Sequence, residues 1–363
     1  MTIHIRQAFI NDPDSSFHGK TMDLVIESGI IKEIKPSLSP SGAIKVEAKG
    51  LKVSPGWVDL FSFFGDPGLE QKETLSSGAQ AAAAGGVTDV FVLPNTRPTI
   101  DSKSQVEYII HKSIGLPVKV YPIGAVSHKA EGQELAEMYD MRASGAIAYS
   151  DGIHPLQSAG LLLKALQYVK AIGAVIIQLP DDRSIMPHGQ MHEGVVSTRI
   201  GLPGKPRLAE ELMVYRDIEL ARYADSRIHF TGITSPVSLD HIRRAKAEGL
   251  QVSCSVAPHH LFFTDSDLMG YDTNLKVSPP LRPMADVELL RKAVLDGTID
   301  CFASHHLPQE SDVKNVEFEY AAPGMIGLET YYAALRTAMP ELSDDRLIQV
   351  LSHNHRKIFG LEP

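Results

Sequence analysis

Eight short β-branched runs recur along the chain, and most are separated by segments of helical period. They lie at 57–61 (WVDLF), 88–93 (TDVFVL), 118–122 (VKVYP), 145–149 (GAIAY), 174–178 (AVIIQ), 227–231 (RIHFT), 251–255 (QVSCS) and 299–303 (IDCFA). Between them fall stretches such as ETLSSGAQAAAAGG, SAGLLLKALQYVKAIG and RLAEELMVYRDIELARYA, with apolar residues at helical spacing. Strand-helix alternation repeated eight times is the pattern of a (β/α)8 barrel, an α/β fold whose functional groups sit at the strand C-termini. Periodicity alone also admits a doubly wound parallel sheet.

Residues 1–53 read differently. TIHIRQAFI, TMDLVIESGIIKEI and AIKVEAKGLKV alternate with Gly and Pro punctuation, which predicts a small, partial β-domain flanking a barrel that occupies 54–363. The tail segments IGLETYYAALRTAM and SDDRLIQVLSHNHRKIFGL predict two closing helices. With 43% hydrophobic residues, the 363-residue chain can bury a large core unaided. A net charge of −9 offers no phosphate footprint, so neither nucleic acid nor an anionic membrane is an expected partner. The N-terminus lacks a basic segment followed by an apolar run, and a cytoplasmic location is the expectation. Cys254 and Cys301 sit in apolar strand-like runs without metal-binding spacing and read as reduced core thiols.

The stretch DLFSFFGDPG (59–68) poses the functional problem. It ends the first barrel strand, where polar chemistry is expected, yet carries Phe61, Phe63 and Phe64, with Asp59 and Asp66 as its titratable side chains. The other strand ends offer Asn95, Asp151, Gln178, Gly232, His259 with His260, and His305 with His306.

The run PGWVDLFSFFGDPGLEQKETLSSGAQAAAAGGVTDVFVLPNTRPTID resembles the class I dihydroorotases of the amidohydrolase superfamily, which carry P-G-x-x-D-x-H-x-H-x-R-(D/E)-P-G, then A-A-A-G-G-x-T and P-N-T-x-P. The resemblance continues through HEGVVSTRIGLPGKP, APHHLFFTD, YDTNLKVSPPLR, DGTIDCFASHHLP and GMIGLET, and covers nearly the whole chain. It implies an amidohydrolase barrel, zinc, and cyclic amide hydrolysis in pyrimidine biosynthesis.

The residues that would supply that chemistry have been replaced. Phe61 and Phe63 stand where the family has two metal-binding histidines, and Gly65 stands at the substrate-holding arginine. Gln178 and Gly232 correspond to two further histidines, and His305 to the catalytic aspartate. Asp151, in YSDG, is the one retained ligand position. A phenyl ring has no lone pair, glycine has no side chain, and a neutral amide oxygen is a poor zinc ligand beside imidazole. No catalytic residue and no metal are therefore expected, and Phe61, Phe63 and Phe64 are expected to fill the vacated space. Asn95 and Asn274 match family substrate contacts, with Arg97 in the same loop as Asn95, but capping and turn geometry explain asparagines equally well.

Three functions compete. The first is a non-catalytic dihydroorotase-like subunit, structural or regulatory. For it the resemblance implies a homo- or hetero-oligomer, with aspartate transcarbamoylase or an active dihydroorotase as partner. The second is an active dihydroorotase or related cyclic amide hydrolase with a remodelled zinc site. That site would be built on Asp151, His305 and His306 with His259 or His260, and His305 could serve as base. The third is a self-associating scaffold or a binder of a small acidic metabolite. The pair His188 and His192 has i, i+4 spacing but lies in Gly/Pro-rich PHGQMHEG, so a helical zinc face is not expected there. The resemblance also implies further strands completing the layer begun by residues 1–53, and the sequence leaves open whether that domain is reduced or the chain incomplete.

Overall fold

The computed structural model describes residues 1–362. The N-terminal layer comprises β1 (Thr2–Ile10), β2 (Thr21–Glu27), β3 (Ile30–Lys35), β4 (Ile44–Val46) and β5 (Lys52–Val53). It forms one mixed sheet in the order β3-β2-β1-β4, with β5 also pairing with β1. Ala8, Ile10, Met22 and Leu24 make a small core of their own on one face.

The eight runs form eight parallel strands. They are β6 (Trp57–Ser62), β7 (Val87–Val92), β8 (Lys119–Gly124), β9 (Ala148–Tyr149), β10 (Ile176–Gln178), β13 (Ile228–Phe230), β14 (Val252–Val256) and β15 (Cys301–Phe302). A two-strand excursion, β11 (Met191–His192) and β12 (Gly204–Lys205), is inserted after β10. The order β15-β14-β13-β10-β9-β8-β7-β6 is sequential, which a doubly wound sheet would not give.

Helices α1 (Leu75–Ala84), α2 (Lys103–Lys112), α3 (Met138–Ala143), α4 (Ala159–Ala171), α5 (Val195–Ile200), α6 (Leu208–Ala224), α7 (Pro236–Ala247) and α8 (Met284–Leu295) run between the strands. Local sequence starts them where the connections need to turn. Thr74 and Ser77 exchange side-chain and backbone hydrogen bonds in a capping box before α1, and Ser158 caps α4 through Leu161 N. Ser235 caps α7 with Pro236 at its first position. The tail forms a helix over Tyr331–Ala338 and a second helical run from Asp344 to Phe359, which contains a π-type turn at Gln349–His353. No helix among the described residues is long and apolar enough to cross a membrane.

Alternate residues divide two cores. Val90, Val92, Ile176, Ile228, Phe230, Val252, Cys254 and Val256 pack outward beneath the helices, whereas Val58, Leu60, Phe91, Leu93, Val175, Ile177 and Leu179 face the barrel interior. Phe359 closes the interior from below, edge-on to Phe91 at 5.1 Å and to His229 at 5.4 Å.

β6 breaks this parity. Asp59 pairs with Val90 and Ser62 with Val92, so β6 spends one more residue than β7 over that interval and bulges. Before the bulge Val58 and Leu60 join the interior; after it, Phe61 and Phe63 do. An extra residue inserted into one strand re-aims the side chains that follow, and such bulges concentrate at barrel rims.

Closure of the barrel falls to Asp59. β6 and β15 share no ladder, only a bridge between Ser62 and His306, with Phe63 N donating to His306 O at 2.8 Å. The fully buried Asp59 carboxylate receives Ser62 Oγ from its own strand (2.5 Å), and Ser304 N (2.5 Å) and Ser304 Oγ (2.9 Å) from the last one. Asp66 plays a second structural part, accepting from Tyr108 Oη and Lys112 Nζ of α2, each at 2.9 Å.

Candidate functional site

A cavity of about 320 Å³ opens at the C-terminal ends of the strands, walled by Phe61, Leu93, Leu179, His259 and His305 among others. The expectation that three phenylalanines fill this space holds only in part. Phe61 and Phe63 turn into the barrel, but Phe64 packs outward over α1, where a Cβ on Gly78 would lie 2.5 Å from its ring. With Phe64 turned away, a pocket persists at the mouth.

His305 occupies the centre of the mouth. Its backbone is left-handed (φ 48°), its ring stacks on Phe61 with centroids 4.6 Å apart, and its Nε2 is hydrogen-bonded to Thr231 Oγ1 at 2.8 Å. Burial, with His260 nearby, pushes its pKa down to about 3. The sequence-based expectation that His305 titrates in a range useful to a base is thereby corrected: the imidazole is neutral and only weakly basic.

Gly232 is the reason His305 fits. It has φ +70°, and a Cβ there would lie 2.7 Å from His305 Cε1 and 3.0 Å from Leu179 Cδ1. A side chain at 232 would press on the imidazole at 305, which must shift to admit it. Gly232→Ala is expected to cost about 1–3 kcal/mol through the left-handed backbone and the contact together. Thermal denaturation alone and with His305→Ala checks this: the double variant should recover the steric part.

The remaining positions are turned to structural use. Asp151 spends its carboxylate on the end of β8, accepting from Val126 N and Ser127 N (both 2.9 Å) and from Ser127 Oγ. Burial raises its pKa to about 6. Gln178 does not face the cavity. Its Nε2 donates to Asp217 of α6 at 2.9 Å and its Oε1 accepts from Leu156 N, while the next residue, Leu179, takes the inward place. Gly65 sits at φ +66° with Leu69 O 2.4 Å from a would-be Cβ, so no arginine fits that turn.

Asn95 clamps the loop after β9, donating to Asp151 O (2.9 Å) and accepting from Ile153 N (3.0 Å). Asn274 and Arg97 are exposed and do not line the cavity. His306 lines the cavity beside His305, with its ring contacting Glu73 and accepting from Gly327 N at 3.1 Å. His260 binds Pro279 O at 2.9 Å. His192 lies on β11, not in open loop, and meets Arg282, whereas His188 is exposed.

The relocated metal site built on Asp151 and His305 is therefore not assembled. Among the described residues no three His, Cys, Asp or Glu side chains converge as a metal site. The resemblance implies zinc, but this donor set does not fit it: two phenyl rings, an outward carboxamide, a glycine and a carboxylate engaged by backbone amides.

Sequence reasoning missed a polar column inside the barrel. His229 on β13 is hydrogen-bonded through Nδ1 to Ser253 Oγ (2.8 Å) and through Nε2 to Ser255 Oγ (3.0 Å). Ser255 Oγ donates to Thr231 Oγ1 at 3.0 Å, and Thr231 meets His305. The signal was the inverted parity of VSCSV, whose serines alternate against the apolar residues that face the helices.

Residues 50–238 match the family described as Dihydro-orotase-like. The dihydroorotase of Citrifermentans bemidjiense is 39% identical over 366 aligned positions, covering 100% of this chain and 86% of that protein. That of Geobacter sulfurreducens is 40% identical with the same coverage, and that of Pelotomaculum thermopropionicum is 44% identical over 85% of this chain and 72% of its own length. Among solved structures, L-hydantoinase from Arthrobacter aurescens superposes with a TM-score of 0.84 at 21% identity, over 99% of this chain and 83% of its own. Dihydropyrimidinase from Brevibacillus agri gives 0.83 at 18%, over 100% and 82%. These last two likenesses speak for the fold alone.

Proposed function

The chain belongs to the dihydroorotase-like family, and from that membership we propose that it is a member without ring-opening chemistry, acting in pyrimidine biosynthesis as a structural or regulatory subunit. The single observation that carries this reading is the composition of the barrel mouth. Phe61, Phe63 and Leu179 turn inward there, and His305 is held neutral in the space that Gly232 leaves. Without a set of converging donors there is no site to polarise an amide or to lower the pKa of a water. A weakly basic imidazole supplies little by itself.

The proposed partner is aspartate transcarbamoylase or an active dihydroorotase, a reading supported by the intact scaffold around a rebuilt mouth. A second reading is an active cyclic amide hydrolase with a remodelled site. It is favoured by the names of relatives 39–44% identical to this chain.

The deciding assay is dihydroorotate ring opening and carbamoyl aspartate ring closure by the purified chain in zinc-supplemented buffer. The expected result is no turnover above buffer in either direction, with His305→Ala indistinguishable from the parent. Robust turnover that His305→Ala abolishes would establish the second reading instead. Sedimentation of the chain with aspartate transcarbamoylase then tests the partner, and independent sedimentation of the two would remove that assignment.

A further inference from the structure

The cavity at the barrel mouth joins an apolar well to an uncompensated cation. Phe61, Leu93, Leu179 and Met325 supply walls, and no aspartate or glutamate contributes to the lining. Arg183 stands at the rim. Its Nη2 donates to Ile153 O (2.8 Å) and to His154 Nδ1 (3.1 Å), and no carboxylate pairs with it among the described residues. The guanidinium therefore keeps both its charge and unused N–H groups. Burial holds His259 and His305 of the lining neutral, so neither competes with it as a cation.

We propose that the barrel mouth binds a small amphipathic carboxylate, with one apolar ring seated against Phe61 and Leu179 and the carboxylate on Arg183. The ring follows from the lining and from the volume of about 320 Å³, which suits a single ring with a short arm. The carboxylate follows from Arg183, whose planar fork favours bidentate recognition of that group over a neutral amide. The inference rests on the reading of the mouth as a metal-free pocket. Its test is equilibrium binding without turnover, so its failure and the failure of that reading are separate results.

Phenylacetate and phenylacetamide are the probes, nearly equal in shape and different in charge, titrated calorimetrically into the intact chain. Phenylacetate should bind about tenfold tighter or more. Arg183→Met should erase that preference while leaving weak binding of both, and Met325→Trp, which fills the rim, should block both. Equal affinity for the two probes, a preference that survives Arg183→Met, or no binding of either in the millimolar range would each overturn the proposal.

Discussion

Replacing Asp59 by alanine is expected to lower the stability of the chain by about 3–5 kcal/mol, read as a fall in the urea midpoint at unchanged slope. The carboxylate collects two donors from Ser304 and one from Ser62, and it holds together the first and last strands, which no ladder joins. Each donor left unpaired in the interior costs roughly 1–3 kcal/mol. Asp59→Asn should cost less, about 1–2 kcal/mol. The amide still accepts from Ser304 N, the serine hydroxyls can rotate to accept from its NH₂, and the burial that pushes the Asp59 pKa up no longer opposes a charge. An alanine variant within 1 kcal/mol of the parent would show that the closing helices, not Asp59, hold the seam.

Acid is the second severe test. Burial pushes His260 and His355 down to about 4 and His305 to about 3, and holds His229 and His259 well below the ordinary range. A histidine with a depressed folded pKa contributes stability that is fully present above its unfolded value, about 6.5, and lost as pH falls toward the folded value. Each adds a slope of about 1.4 kcal/mol per pH unit in that window. Asp151 and Asp217 act in the opposite sense. Their pKa values, raised by burial to about 6, make the folded state the better proton acceptor as pH drops from 6 toward 4. With six such histidines, His192 included, against five raised aspartates, Asp59, Asp265 and Asp300 included, the net loss should be on the order of 1–2 kcal/mol per unit below pH 6.5. Urea titrations at stepped pH measure it, and His305→Gln should remove about one histidine's share. A flat profile from pH 7 to 5 would mean that these imidazoles find water in solution.

The architecture was legible because period-2 and helical-period patterns are local and survive any change at the mouth. All eight predicted runs overlap observed strands, and both closing helices form. The replaced positions could be located from the family motif, but not their geometry. Whether residue 178 faces the pocket or α6 depends on strand parity, and its hydrophobic neighbours Ile177 and Leu179 look alike to a reader of sequence. The fate of Phe64 was hidden for a related reason, since three aromatics within four residues look interchangeable until the path of the chain after Ser62 is known. The close approach of Gly232 and His305 joins residues 73 positions apart, each past the end of its own strand, and one sequence carries no trace of such a contact.

The bulge in β6 has a corollary for redesign. Because the extra residue resets which side chains look inward, Phe61 and Phe63 at the rim and Val58 and Leu60 in the lower barrel sit in different packing registers, tied together by the bond from Ser62 to Asp59. Substitutions past the bulge can exchange polar for aromatic character without altering the pattern by which the lower strand nucleates its layer. The mouth is thus a part of the barrel whose side chains can be exchanged while the layer beneath keeps its own register.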